Sequence, residues 1–181
     1  SDEPILSPRK SFWDASVVTN PAPCIDEDGG ILLYYRSNTP SGLRIGLARA
    51  DNNHSEFKRV VDEPVFSASN NLGIEDPFVW KTAGGFSMIA KDMSGEISGE
   101  KHGGIMAHSL NGVDWTVSDP PKAYSRQVRW TDGRTTLQGC LERPQILFEN
   151  GEATHLFAAT GDGTGGFDKV TRTWNMVLPL A

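Results

Sequence analysis

Three prolines in the chain follow polar residues whose types could do chemistry. Pro21 follows Asn20, Pro77 follows Glu75-Asp76, and Pro144 follows Glu142-Arg143. A lone acid before a proline is most often a strand-end or turn residue. Two acids at equivalent places in a repeat carry more. If rigid elements bring Asp76 and Glu142 to one cavity, within about 10 Å, they form the pair that acid/base catalysis uses. Mutual repulsion and partial burial would then separate their pKa values, leaving one carboxyl protonated as an acid.

The elements that would position these residues repeat with the prolines, which lie 56 and 67 positions apart. Each unit reads as polar-Pro, strand, glycine turn, strand. The glycine turns are Asp28-Gly29-Gly30, Gly84-Gly85 and Asn150-Gly151, and the second strands are Ile31 to Tyr35, Phe86 to Ala90 and Thr154 to Ala159. Proline suits a strand start, where no ladder donor is needed, and glycine suits a hairpin turn. Leu43 to Ala50 and Phe57 to Val61 complete the first unit. Gly104 to Ser109, the Asn111-Gly112 turn and Trp115 to Val117 complete the second. The third shows only three strands, ending with Thr173 to Leu178, and residues 1–18 are a candidate source of another.

Four antiparallel strands per about 55 residues is the arithmetic of a β-propeller blade. The fold class is therefore all-β, with blades over about 19–66, 74–125 and 141–181 of a single propeller domain, complete or partial. A β-sandwich would explain the short strands but not the polar-Pro repeat. Three blades do not close a ring, since propellers have about four to eight. The bare faces of the terminal blades are then expected to find partners, including further copies of this chain.

Composition narrows the partners. The 181 residues hold 17 Lys+Arg against 23 Asp+Glu, a net charge of −6, which argues against a nucleic-acid or anionic-membrane surface. No apolar run approaches the ~18 residues of a membrane span. Cys24 and Cys140 are too few for a thiolate zinc site, and they could be one bridge or two thiols. No signal peptide is visible and the chain does not begin with Met, which suggests a fragment or a processed form.

At the proline motifs the chain resembles a known group. Ile74-Glu75-Asp76-Pro77-Phe78-Val79-Trp80 and Leu141-Glu142-Arg143-Pro144-Gln145-Ile146-Leu147 are similar to the blade-opening motifs of five-bladed β-propeller glycoside hydrolases, with families 43, 117 and 32 the nearest. Thr19 to Pro23, Lys91-Asp92-Met93, Ser109 to Trp115 and Thr173 to Leu180 extend the resemblance over nearly the whole chain, as the last three blades of such an enzyme. It implies hydrolysis of oligo- or polysaccharide, of plant or algal origin, by two carboxylates. Glu142 matches the general acid and Asp76 the residue that tunes it and orients the sugar. The base comes from a first blade ahead of this segment. Family 117 uses a His just upstream of the Glu-Arg-Pro motif, and Arg134 to Cys140 contain none. The resemblance calls for no cofactor and no assigned metal ligand, though it leaves room for a structural or channel divalent cation. A secreted enzyme of this kind would be periplasmic or extracellular.

Around that pair, Glu75, Arg143 and Asn20 are expected to bind substrate, together with Asp92 at the end of a strand and His102 in a loop over the channel mouth. Lys91 reads as a strand-end or surface residue, His108 and His155 as core histidines, and Trp80 and Trp115 as packing residues. Trp130 could stack on a sugar. Asp162-Gly163-Thr164-Gly165-Gly166 lacks both the P-loop Lys and EF-hand spacing, and reads as a flexible turn.

Overall fold

A computed structural model describes residues 3–66, 73–163 and 165–180. Thr164 of the glycine-rich turn, Ala181 at the end of the third unit, and Ser1 and Asp2 of the candidate extra strand lie outside the described residues.

The chain folds into three antiparallel propeller blades. The first sheet runs in the order β1 (Thr19–Ile25), β2 (Ile31–Thr39), β3 (Gly42–Ala50) and β4 (Lys58–Arg59). The second runs β5 (Ile74–Thr82), β6 (Gly85–Asp92), β7 (Gly103–Ser109) and β8 (Thr116–Tyr124). A small hairpin, β9 (Gln127–Arg129) with β10 (Thr135–Leu137), precedes the third sheet. That sheet contains β11 (Cys140–Glu149), β12 (Glu152–Gly161) and β13 (Thr173–Pro179). The one described helical segment is a single 3-10 turn at Phe167–Lys169.

Burial along the strands shows how the sheets stack. The β6 strand is buried at almost every position because both faces are covered. Met88 and Ala90 join the core shared with the first sheet, which includes Tyr34, Ile45 and Leu47. Ile89 joins the core shared with the third sheet, beside Leu141, Leu156 and Met176. Burial of each such side chain contributes about 1.5–3 kcal/mol. The fully buried Tyr34 donates its hydroxyl proton to the Gly112 carbonyl oxygen at 2.8 Å. Gly112 has φ 75°, and a Cβ there would lie 2.8 Å from the Tyr34 hydroxyl, so both the turn and the close approach need glycine.

Residues 3–18 supply no strand, contrary to the expectation for the N-terminal segment. They cover the outer face of the first sheet instead. Trp13 stacks on Tyr35 with centroids 5.8 Å apart, and Asp14 is fully buried between Arg9, Arg59 and the Tyr35 hydroxyl. This is why Tyr34 and Tyr35, neighbours on opposite faces of β2, are both buried. The outer face of the third sheet carries no such cover among the described residues and exposes Leu147, Phe157 and Val177.

Both cysteines are free, buried thiols. His108 is exposed rather than core, with Nδ1 at 2.9 Å from the Ser87 hydroxyl, because β7 turns that position outward. Half-buried His155 lies on the third sheet's outer face.

Candidate active site

The polar-Pro motif is a β-bulge repeated in each sheet. The first ladder shifts register between Thr19 and Ala22, the second between Glu75 and Phe78, the third between Glu142 and Gln145. Each bulge contains the pre-proline residue and its proline, so the missing proline N–H breaks no regular pairing. The pre-proline residues share one left-handed conformation, with φ 52° at Asn20, 53° at Asp76 and 54° at Arg143. Such a backbone costs about 1–3 kcal/mol per residue and persists where surrounding contacts over-determine it.

Those contacts form a ring across the three sheets. Asn20 Nδ2 donates to Asp76 Oδ1 at 2.5 Å, and the Arg143 backbone N–H donates to Asp76 Oδ2 at 3.0 Å. The Arg143 guanidinium places Nε 3.0 Å from Asp76 Oδ1 and Nη2 3.0 Å from Asn20 Oδ1. The Asp76 side chain is 1% exposed.

One residue earlier in each motif stands the next layer. Glu75 Oε1 lies 2.5 Å from the Lys91 ammonium, which also contacts Glu142 Oε2 and lies 3.8 Å from Asp76 Oδ2. Arg36 reaches Glu75 from the first sheet at 3.7 Å. Burial pushes the Glu142 carboxyl up, the Lys91 ammonium pulls it down, and Asp76 and Glu75 push it up again; the net shift is upward. Burial disfavours charge on Lys91, but Glu75 and Glu142 more than restore it and its pKa is raised. Lys91, expected at a strand end or surface, is 2% exposed and central to the cluster.

Glu75, Asp76 and Glu142 each bring a carboxylate oxygen within 4.8 Å of the others, a spacing that a divalent cation could use. The Lys91 ammonium already sits among these oxygens. The residues present therefore make a carboxylate–ammonium cluster, and a metal would have to displace a buried lysine.

Above the cluster opens a cavity of about 460 Å³. Glu75, Lys91 and Glu142 line one side, Lys101 and His102 another, and Phe167, Asp168 and Lys169 a third. Two aspartates hold the loops that frame it. Asp92 is fully buried and accepts hydrogen bonds from the backbone N–H groups of Gly95, Ile97 and Ser98 and the hydroxyls of Ser94 and Ser98. Burial alone would raise its pKa, but these donors hold it below the usual carboxylate range. Asp162 accepts from the backbone N–H groups of Thr171 and Arg172 and from the Thr171 hydroxyl, so the glycine-rich turn is tied at its base. His102 lies at the end of the Asp92 loop with φ 62°, its imidazole pKa lowered by burial and by the charges of Lys91, Arg126 and Lys101.

The structure brings Glu142, Glu75 and His102 to the cavity wall. It places Asp76 beneath that wall, sealed by its three donors and outside the cavity lining. Asn20 and Asp92, expected to bind substrate, are buried with their carbonyl or carboxylate oxygens engaged inside the fold. Arg143 has its guanidinium turned to Asp76 and Asn20 and does not line the cavity, although its side chain is 59% exposed. Trp130 sits on the small hairpin, donating its indole N–H to Thr136 Oγ1 at 2.7 Å, away from the cavity.

No family model matches the chain, and no curated protein does. Solved structures do. The chain is similar to a structure of a BT0996 RGII complex, with TM-score 0.70 and 15% identity over 99% of this chain and 51% of that protein. It is similar to Zg3597, a family 117 glycoside hydrolase produced by the marine bacterium Zobellia galactanivorans, with TM-score 0.60 and 16% identity over 94% and 43%. A GH130 structure, from a family of mannoside phosphorylases described as containing glycoside hydrolases that target β-1,2 mannosidic linkages in Candida mannan, gives TM-score 0.56 and 21% identity over 98% and 55%. The chain spans about half the length of these proteins. At this identity the likeness establishes the fold: three blades of the propeller architecture that several glycoside hydrolase families share.

Proposed function

We propose that the cavity is a glycoside-cleaving site in which Glu142 is the general acid. The carrying observation is the position of Glu142: on the cavity wall, half-buried, with a carboxyl whose affinity for its proton is raised. In the reaction the Glu142 proton passes to the glycosidic oxygen as the bond from that oxygen to the anomeric carbon breaks. Water adds to the anomeric carbon and gives its proton to a second carboxylate. Asp76 is a positioning residue in this scheme. It holds Arg143 and Asn20 in their left-handed turns and adds negative charge beneath Glu142. Glu75 is held between Arg36 and Lys91, and Asp76 is sealed, so neither is free to activate water. Among the described residues that leaves Asp168 of the 3-10 turn on the cavity wall, and the resemblance to propeller hydrolases implies a base from a further blade.

A carbohydrate-binding module is the second reading, favoured by the engagement of Glu75 and Asp76 inside the fold, which leaves Asp168 of the 3-10 turn as the other carboxylate lining the cavity. One experiment separates the two. The protein and its Glu142→Gln variant are incubated with a panel of neutral and acidic plant and algal oligosaccharides, following reducing-end release and binding in parallel. Turnover lost in the variant supports the enzyme. Binding without turnover in either protein supports the module, and neither binding nor turnover contradicts both readings.

A further inference from the structure

The residue before each pre-proline position has a defined partner across its hairpin. Thr19 pairs with Arg36, Glu75 with Lys91, and Glu142 with Ala159. In the first two sheets that partner is a cation, and it reaches forward to the glutamate of the following sheet. Arg36 reaches Glu75, and Lys91 reaches Glu142. Glu75 thus has two cations, one from the preceding sheet and one from its own hairpin. Glu142 has the first, Lys91, and lacks the second, because its hairpin partner is alanine.

We propose that Ala159 is a positioning residue for the acid. The absence of a charged side chain opposite Glu142 breaks the cation series and leaves that carboxyl able to keep its proton. This rests on the reading of Glu142 as the general acid. Among the described residues the titratable and charged groups around Glu142 are Lys91 from β6, Glu75 and Asp76 from β5, Tyr124 from the end of β8, Cys140 from its own strand, and Lys101, His102, Asp168 and Lys169 on the other walls of the cavity. Of the lysines, Lys91 is the one within ion-pair distance of Glu142. Burial and the nearby cations lower the His102 pKa, and the two neighbouring acids oppose ionisation of Glu142. A lysine at 159 would occupy the position relative to Glu142 that Lys91 occupies relative to Glu75, where the ion pair measures 2.5 Å.

The test is a carbon-detected NMR titration of the Glu142 carboxyl, assigned by its loss in Glu142→Gln, in Ala159→Lys, Ala159→Gln and Ala159→Asp. The lysine should lower the Glu142 pKa by about one to three units, the usual effect of an opposite charge within 4–6 Å. The aspartate should raise it, and the neutral glutamine should leave it in place. Position 159 is half-exposed, so these side chains have room, and if the lysine variant fails to fold the aspartate variant still reads the sign. Equal shifts with lysine and glutamine, or no shift with either charged residue, would overturn the proposal. On any substrate that is turned over, the alkaline limb of the pH profile should move with the titration. If no substrate is turned over, the glycosidase reading falls while the titration still decides the role of Ala159.

Discussion

Asn20 Nδ2 lies 2.5 Å from Asp76 Oδ1, although the two residues are 56 positions apart and start different sheets. The contact exists because the same bulge and the same left-handed turn recur at both positions, and it is completed by the backbone N–H of Arg143. Every group facing Asp76 in the ring is a donor. Asp76→Asn would turn an amide NH2 toward one of them. We expect it to lower unfolding stability by about 3 kcal/mol, the cost of breaking a buried charged pair, in denaturant titration. Asn20→Asp, which sets two carboxylates against each other, should be destabilising as well.

Lys91 is the cation that holds Glu75, Asp76 and Glu142 together. Lys91→Met should cost about 3 kcal/mol at neutral pH, because it leaves Glu142 without its ion-pair partner and Glu75 with Arg36 alone. In that variant the Glu142 carboxyl, already raised by burial, loses the cation that pulls it down and rises further above its unfolded value. The deficit should therefore shrink as pH falls and Glu142 takes up its proton. On any substrate that is turned over, the alkaline limb should move up by about one unit, since Glu142 keeps its proton longer. Thermal unfolding across pH checks the first outcome and a pH–rate profile the second.

Asp92 organises the loop that carries Lys101 and His102. Its pKa is held below the unfolded value of about 3.9, so its stabilising effect is complete above that pH and is lost as pH falls through the lower, folded value. Asp92→Asn should remove the effect at every pH. Hydrogen exchange at Gly95, Ile97 and Ser98 should accelerate in the variant at neutral pH, while exchange in the first sheet stays unchanged.

Trp13 shields the outer face of the first sheet by stacking on Tyr35. Trp13→Ala should lower stability by about 2 kcal/mol, less than a core tryptophan because the ring is only partly buried. It should also increase self-association in light scattering as the sheet face becomes accessible.

The proline repeat made much of this architecture readable from sequence, because hairpin turns and strand-start prolines are local signals. The same repeat brought Glu142, Glu75 and Asp76 into one neighbourhood. Their division of labour was not readable. Asp76 is sealed and Glu142 is open because of a bulge, which depends on how two strands pair and not on either strand alone. The role of Lys91 depends on the same pairing, since it becomes the partner of Glu75 only after the register shifts. Asp92 looked like a substrate ligand because it ends a strand beside the cavity, but serine hydroxyls and backbone donors in its own loop claim its carboxylate. Trp13 and Asp14 sit in a segment without strand periodicity, and their role follows from Tyr35 and Arg59 far along the chain.

The most direct test of Glu142 as general acid compares leaving groups. A general acid matters when the departing oxygen needs a proton and matters little when it departs as a stable anion. Glu142→Gln should reduce hydrolysis of an oligosaccharide by at least about 100-fold. It should reduce hydrolysis of the nitrophenyl glycoside of the same sugar far less. Equal losses on both substrates, or undiminished cleavage of the oligosaccharide, would contradict the assignment.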